Sequence, residues 1–142
     1  MTDIENKLRI YYITAIFSVI FAVIGFSYNA WRLELTEENS NIRTASFQVL
    51  TELAEFEQII YAAHYDNDKV AGSPRKGWVK IGLIVDLSVL IDMAVHKSAM
   101  QLHKAWSDNW ESLNVSENIA QDLISEIEKV RQQVKQKLYK LE

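Results

Sequence analysis

The chain opens with a continuous apolar stretch. From Ile10 to Ser27 it reads IYYITAIFSVIFAVIGFS, eighteen residues without a charge, between Arg9 and Arg32. A helix of this length is about 27 Å long, close to the hydrocarbon thickness of a bilayer, about 30 Å. A buried helix of a soluble bundle normally has one polar face, which this segment lacks. The pattern predicts an uncleaved transmembrane helix. A signal peptide, whose apolar region is usually shorter, is the alternative.

Beyond this stretch, apolar positions recur at helical spacing. No glycine or proline occurs between Gly25 and Gly72, so a helix can continue without interruption. Over residues 31–64 the apolar residues form one stripe, and the acids fall mostly outside it. The stripe contains Ile42, Val49, Leu53, Phe56, Ile60 and Ala63. We therefore expect the membrane helix to continue into the first helix of an extramembrane domain.

Two further helices are predicted by the same periodicity. Residues 78–113 have a broad apolar surface, which is typical of a helix packed between two partners. Residues 116–141 have apolar residues at coiled-coil spacing, and either Asn114 or Ser116 can cap this helix. So short a coiled-coil pattern is marginal alone, and this helix therefore needs neighbours.

The segment between the first two of these helices is a sharp corner. Residues 65–77 contain the only proline of the chain and two of its four glycines, which favours a reversal of chain direction. The predicted fold is all-α, a transmembrane helix that continues into an antiparallel three-helix bundle. Its predicted parts are a cytoplasmic segment at 1–9, a membrane span at 10–30 and an extracytoplasmic domain at 31–142.

Aromatic residues indicate where the membrane surface lies. Tyr28 and Trp31 follow the apolar stretch, and amphipathic rings favour the interface. A single helix over 78–113 would be about as long as the helix before it, and would return Trp106 and Trp110 to the level of Tyr28. We therefore expect all four rings at the membrane interface. The alternative is that Trp106 and Trp110 belong to the core of the bundle.

Composition restricts the chemistry available to the chain. There is no cysteine, which excludes disulfides and thiolate chemistry, and the net charge of −4 gives no reason to expect nucleic acid as a partner. No grouping of serine, histidine and acid indicates a nucleophilic site, and no glycine-rich phosphate loop occurs. The sequence therefore predicts a protein that is not an enzyme and that has neither a catalytic site nor a cofactor.

Two patterns of potential metal ligands are incomplete. Asp66 and Asp68 resemble the start of a calcium loop, but no glutamate closes it. Asp92 and His96 lie one helical turn apart and can share an ion, whereas His103 is two turns further along. We predict no metal site. A bundle that senses a ligand or metal near Asp92 and His96 remains the alternative function.

Charged residues at exposed positions are candidates for partner contacts. Arg75 and Lys76 lie on the predicted corner, and Asp86 and Asp92 interrupt the apolar run IGLIVDLSVLIDMAV. Because a charge at the bilayer centre costs roughly 2.5 to 3.5 kcal/mol, we expect this run to be a bundle helix. A membrane-embedded helix that pairs these acids with another subunit is the alternative. The predicted partner-contact residues are Arg75, Lys76, Asp86, Asp92 and His96.

Basic residues on the two sides of the apolar stretch predict its orientation. Lys7 and Arg9 precede it, which favours a cytoplasmic N-terminus in the inner membrane and a periplasmic position for the rest of the chain. The expected function is that of an accessory or scaffold subunit of an envelope complex, or of a homo-oligomer. Its expected partners are membrane lipid and other membrane or periplasmic subunits.

Overall fold

The computed structural model describes residues 2–141, with side chains from residue 4 onwards. Residue 1 of the predicted segment 1–9 and residue 142 of the predicted segment 31–142 lie outside the described residues. The described residues form α-helices and no strand, which confirms the all-α fold class. The helices are α1 (Thr2–His64), α2 (Pro74–Ser88), α3 (Met93–Asn109) and α4 (Glu117–Tyr139), with a short 3₁₀ helix (Trp110–Ser112) after α3.

The chain divides into two compact units, one up to Glu38 and one from Asn39, and α1 contributes to both. In the first unit every described side chain from Ile4 to Glu38 is exposed. Its apolar window has a mean hydropathy of 2.1 over eighteen residues, and none of that window is buried. By length and composition, α1 is long and apolar enough to cross a membrane, the property predicted for this segment.

The second unit is a set of helices in which successive members run in opposite directions. Nζ of Lys80 in α2 lies 2.7 Å from Oε2 of Glu52 in α1. Arg43, early in this part of α1, donates to the carbonyl of Leu141 at 3.2 Å. At the other end of α1, Nδ1 of His64 lies 2.8 Å from the carbonyl oxygen of Leu113. α4 therefore runs antiparallel to α1, and the end of α3 lies beside the end of α1.

A single core joins these four helices. Leucine, isoleucine and valine side chains at helical spacing are excluded from solvent, which explains why the amphipathic patterns fold together. The largest fully buried side chains are Trp106, Phe56, Leu53, Ile60, Ile81, Ile84, Leu102, Leu123 and Ile127. The predicted stripe of α1 is part of this core.

The prediction of one helix over 78–113 is wrong, because the chain reverses between Val89 and Asp92. Asp92 has an extended backbone, and its Oδ1 accepts from the N–H groups of Ala94 at 2.8 Å and Val95 at 3.1 Å. This N-cap begins α3 and ends the continuity of the apolar run. The second unit therefore contains four helices, and the prediction of a three-helix bundle is corrected.

The corner between α1 and α2 is shorter than predicted, because α2 begins at Pro74. Proline is well suited to the first turn of a helix, where its missing N–H has no partner to lose. Oδ1 of Asp68 accepts from Val70 and Ala71 at 2.8 and 2.9 Å. Gly72 lies directly against the backbone of Ala63, where an added β-carbon would overlap with it. The hydrogen bonds of Asp68 order the corner internally, and the contact of Gly72 with Ala63 places it against α1.

Candidate partner-binding groove

A groove lies between α1 and the first turns of α2, and we call it the α1–α2 groove. Its volume is about 570 Å³, and it is open along one side. α1 contributes residues three and four positions apart, which share one helix face. The lining residues are Glu55, Gln58, Ile59, Ala71, Arg75, Lys76, Val79 and Lys80. Two residues of the predicted partner contacts, Arg75 and Lys76, are thus brought together on its rim.

An ion-pair network fixes the position of α2 beside α1. Lys80 donates to Glu52 at 2.7 Å and also contacts Glu55, while Gln48 donates to Glu52 at 2.8 Å. Because Glu52 is only 5% exposed, these partners offset the free-energy cost of burying its carboxylate. Hydrogen bonds from Lys80 to Glu52 and Glu55 raise the pKa of the Lys80 ammonium above its usual value. The charge of Lys80 is therefore compensated within the protein.

Arg75 and Lys76 differ from Lys80 in this respect. Both side chains are exposed, and neither forms a salt bridge within the described part of the chain. The first turn of α2 contains no acid, and the side chain of Ser73, the N-cap residue, caps no N–H group. A helix N-terminus has a partial positive charge. The rim of the groove is therefore electropositive.

The position of α2 is also set by close packing behind the groove. The six-membered ring of Trp106 fills the space beside Gly77, and a β-carbon there would overlap with it. Trp106 in turn meets Phe56 edge to face, with ring centroids 5.1 Å apart, and Trp78 at 6.2 Å. These three rings hold α1, α2 and α3 in one arrangement.

The predicted interface role of Trp106 and Trp110 does not agree with this arrangement. Trp106 is fully buried and Trp110 packs partly buried against the core, as in the alternative interpretation of these rings. The reversal at Val89 to Asp92 is the reason, since α3 runs toward the His64 end of α1 rather than back toward Arg43. Tyr28 and Trp31 belong to the first unit, where both are exposed with ring centroids 6.2 Å apart.

The other predicted contact residues are separated from the groove. Asp92 caps α3, and its carboxylate is 3.8 Å from Nζ of Lys137. Nδ1 of His96 is 2.9 Å from the buried Oγ of Ser88, and Asp86 is exposed. The ring of His103 packs against Trp78. Among residues 4–141, no group of three His, Cys, Asp or Glu side chains is placed to hold a metal ion.

Sequence reasoning missed Glu52, Lys80 and Val79 as residues of this region. Glu52 lies next to Leu53 on the apolar stripe, so an acid at that position was a signal for a buried ion pair. Val79 gave no signal, because a valine within an amphipathic pattern is expected to be buried, yet it is 68% exposed.

Comparison with known proteins adds no functional information. No protein family matches the chain, and neither curated proteins nor solved structures include a significant match.

Proposed function

We propose that this protein is a single-pass membrane-anchored accessory or scaffold subunit that acts through helix–helix contacts with other proteins. The proposed location is the inner membrane, with the N-terminus in the cytoplasm and the second unit in the periplasm. The partners are other subunits of an envelope complex or further copies of the chain. The second unit acts by binding rather than by catalysis.

The exposure of the apolar segment is the observation that carries this proposal. Large apolar side chains from Ile10 to Phe26 are between 45% and 76% exposed, and they surround the helix on all sides. Contiguous apolar surface of this extent is unfavourable in water and marks a membrane or protein interaction site. A length near that of the hydrocarbon core favours lipid.

Residues on either side of the apolar segment support the location and orientation. Tyr28 and Trp31 are exposed and in contact, as rings at a membrane interface would be. Lys7 and Arg9 precede the segment, whereas the residues that follow Arg32 include Glu34, Glu37 and Glu38. An excess of basic residues on one side favours the cytoplasm for that side.

The use of the polar residues in the second unit favours a role in protein contacts. Asp92 and His96, on which a ligand- or metal-sensing role depended, are bonded to α3 and to Ser88. No observation therefore favours the sensing alternative. By contrast, the α1–α2 groove combines an exposed apolar side chain with two exposed cations that form no salt bridge among the described residues, features suited to a partner surface.

Single-cysteine variants test this proposal directly, since the natural chain has no thiol. Glu5→Cys and Asn114→Cys place one thiol on each side of the apolar segment. We expect a membrane-impermeant maleimide added to spheroplasts to label Asn114→Cys and to leave Glu5→Cys unlabelled until the membrane is permeabilised. We also expect the gently solubilised protein to sediment with a mass above that of one chain. Labelling of both variants in intact spheroplasts, or sedimentation as a monomer, would contradict the proposal.

A further inference from the structure

Val79 is an apolar side chain that no part of the second unit covers. It lies on α2 at the edge of the α1–α2 groove and is 68% exposed, whereas Ile59 on the opposite wall is 7% exposed. Because Ile59 is already buried, the apolar surface that an occupant of the groove would remove from water is mainly that of Val79. The groove has a volume of about 570 Å³ and is open along one side, which leaves room for the side chains of an extended segment.

The positive charge at the rim of the groove favours an occupant with negative charge. Arg75 and Lys76 have no salt-bridge partner among the described residues, and the acid-free N-terminus of α2 adds to their potential. This positive rim occurs on a chain whose net charge is −4, so it is a local feature rather than a general property of the surface. Carboxylates are therefore the complementary groups, and arginine can bind one with two parallel hydrogen bonds.

We propose that the α1–α2 groove binds an acidic segment of a partner protein, with an aliphatic side chain of that segment against Val79 and carboxylates at Arg75 and Lys76. The proposal rests on the proposed function and names the surface through which it operates. A small inorganic anion would leave the apolar wall uncovered. A peptide with both acidic and aliphatic residues matches both the positive rim and the exposed apolar side chain of the groove.

The ion pairs of Lys80 restrict where the groove can bind a carboxylate. Its ammonium is already bonded to Glu52 and Glu55, and Glu55 lies on the rim of the same groove. A carboxylate placed beside Glu55 meets like charge, whereas one placed beside Arg75 does not. The acidic residues of the partner therefore contact the Arg75 side of the groove.

Photocrosslinking in membranes of the native host tests the proposal with the full chain. A benzophenone amino acid replaces Val79, and the crosslinked peptide is identified by mass spectrometry. The matched control has the same probe at Gln101, an exposed position on α3 beside a different depression lined by Lys104, Asp108, Glu126 and Lys129. We expect the Val79 probe to yield one peptide rich in acidic and aliphatic residues, and the Gln101 probe to leave that peptide unlabelled.

Charge reversal at Arg75 and Lys76 is the second part of the test. Arg75→Glu with Lys76→Glu should lower the yield of the Val79 adduct by about tenfold or more, since like charges then face each other. Arg75→Gln with Lys76→Gln should give a smaller decrease. Glutamates in the first turn of a helix interact favourably with its dipole, so the melting temperature should not fall. A lower yield therefore reports binding rather than unfolding.

Several results would overturn the proposal. These are the absence of an adduct at Val79, an adduct to lipid or to a second copy of the chain, and a yield that charge reversal leaves unchanged. An assembly that survives solubilisation without a Val79 adduct would contradict the assignment of the groove as the binding surface and leave the proposed function intact. A chain that is not membrane-bound would instead reject the proposed function.

Discussion

Gly77 of α2 lies directly against the six-membered ring of Trp106 of α3, and no other residue type fits between them without movement. Trp106 is fully buried and meets Phe56 of α1 on another side. A displacement of α2 at this contact would therefore change the width of the α1–α2 groove. The contact links core packing to the surface that we assign to partner binding.

Substitution of Gly77 tests this contact. Gly77→Ala should lower the free energy of unfolding by about 1 to 3 kcal/mol, because a β-carbon would overlap with the Trp106 ring. Gly82→Ala is the matched control on the same helix, since nothing lies within 4 Å of its added β-carbon. It should be stabilising by about 0.5 to 1 kcal/mol through helix propensity. Urea denaturation of the full chain in detergent, followed by tryptophan fluorescence, measures both, and equal effects would contradict the assignment.

The N-cap of α3 gives a second prediction. Asp92→Ala removes the acceptor for the N–H groups of Ala94 and Val95, and should lower the free energy of unfolding by about 1 kcal/mol. Asp86→Ala changes an exposed acid that caps nothing, so its effect should stay within about 0.5 kcal/mol. The two variants are compared by the same denaturation measurement. If Asp86→Ala proved the more damaging, a continuous helix through this region would be the better description.

The ion pair between Lys80 and Glu52 gives a third prediction. Lys80→Met leaves the carboxylate of Glu52 buried with only Gln48 as a partner, and should lower the free energy of unfolding by about 1 to 3 kcal/mol at pH 8. Lys97→Met is the control, because Lys97 is exposed and lies outside the salt bridges of the described residues. It should have little effect.

The stabilisation from Lys80 also has a defined pH dependence. Because its hydrogen bonds to Glu52 and Glu55 raise its pKa in the folded state, the stabilisation is fully present below the unfolded pKa of about 10.4. It is lost as the pH rises through the folded pKa. The difference between the natural chain and Lys80→Met should therefore be constant from pH 7 to pH 10 and decrease only above that. A decrease between pH 7 and pH 9 would show that another group is responsible.

The predictability of the fold depended on how far local signals extend. α1 and α4 were predictable because their apolar periodicity is long and no strong breaker interrupts it. The reversal before Asp92 was not, since no glycine or proline occurs there and the capping signal lies within an apolar run. That one break divides the predicted helix over 78–113 into two antiparallel helices, α2 and α3. As a result Trp106 lies in the core.

The site was predictable only in part, for a related reason. Arg75 and Lys76 follow the only proline, so their place on an exposed corner could be inferred. The pairing of Lys80 with Glu52 depends on the register of α2 against α1, which is set by contacts such as Gly77 with Trp106. Register between helices is a property of the packed unit, and local periodicity does not specify it.

Membrane extraction tests the central claim, that the exposed apolar segment of α1 anchors the protein in lipid. After alkaline carbonate treatment of lysed cells, the natural chain should remain in the membrane pellet with an intact mass that includes the N-terminal segment. Val19→Arg with Ile20→Arg, at a cost of about 2.5 to 3.5 kcal/mol for each charge, should shift it to the supernatant. Val115→Arg, at an exposed position of the second unit, should not. Recovery of the natural chain in the supernatant, or in a form cleaved after the apolar segment, would contradict the account.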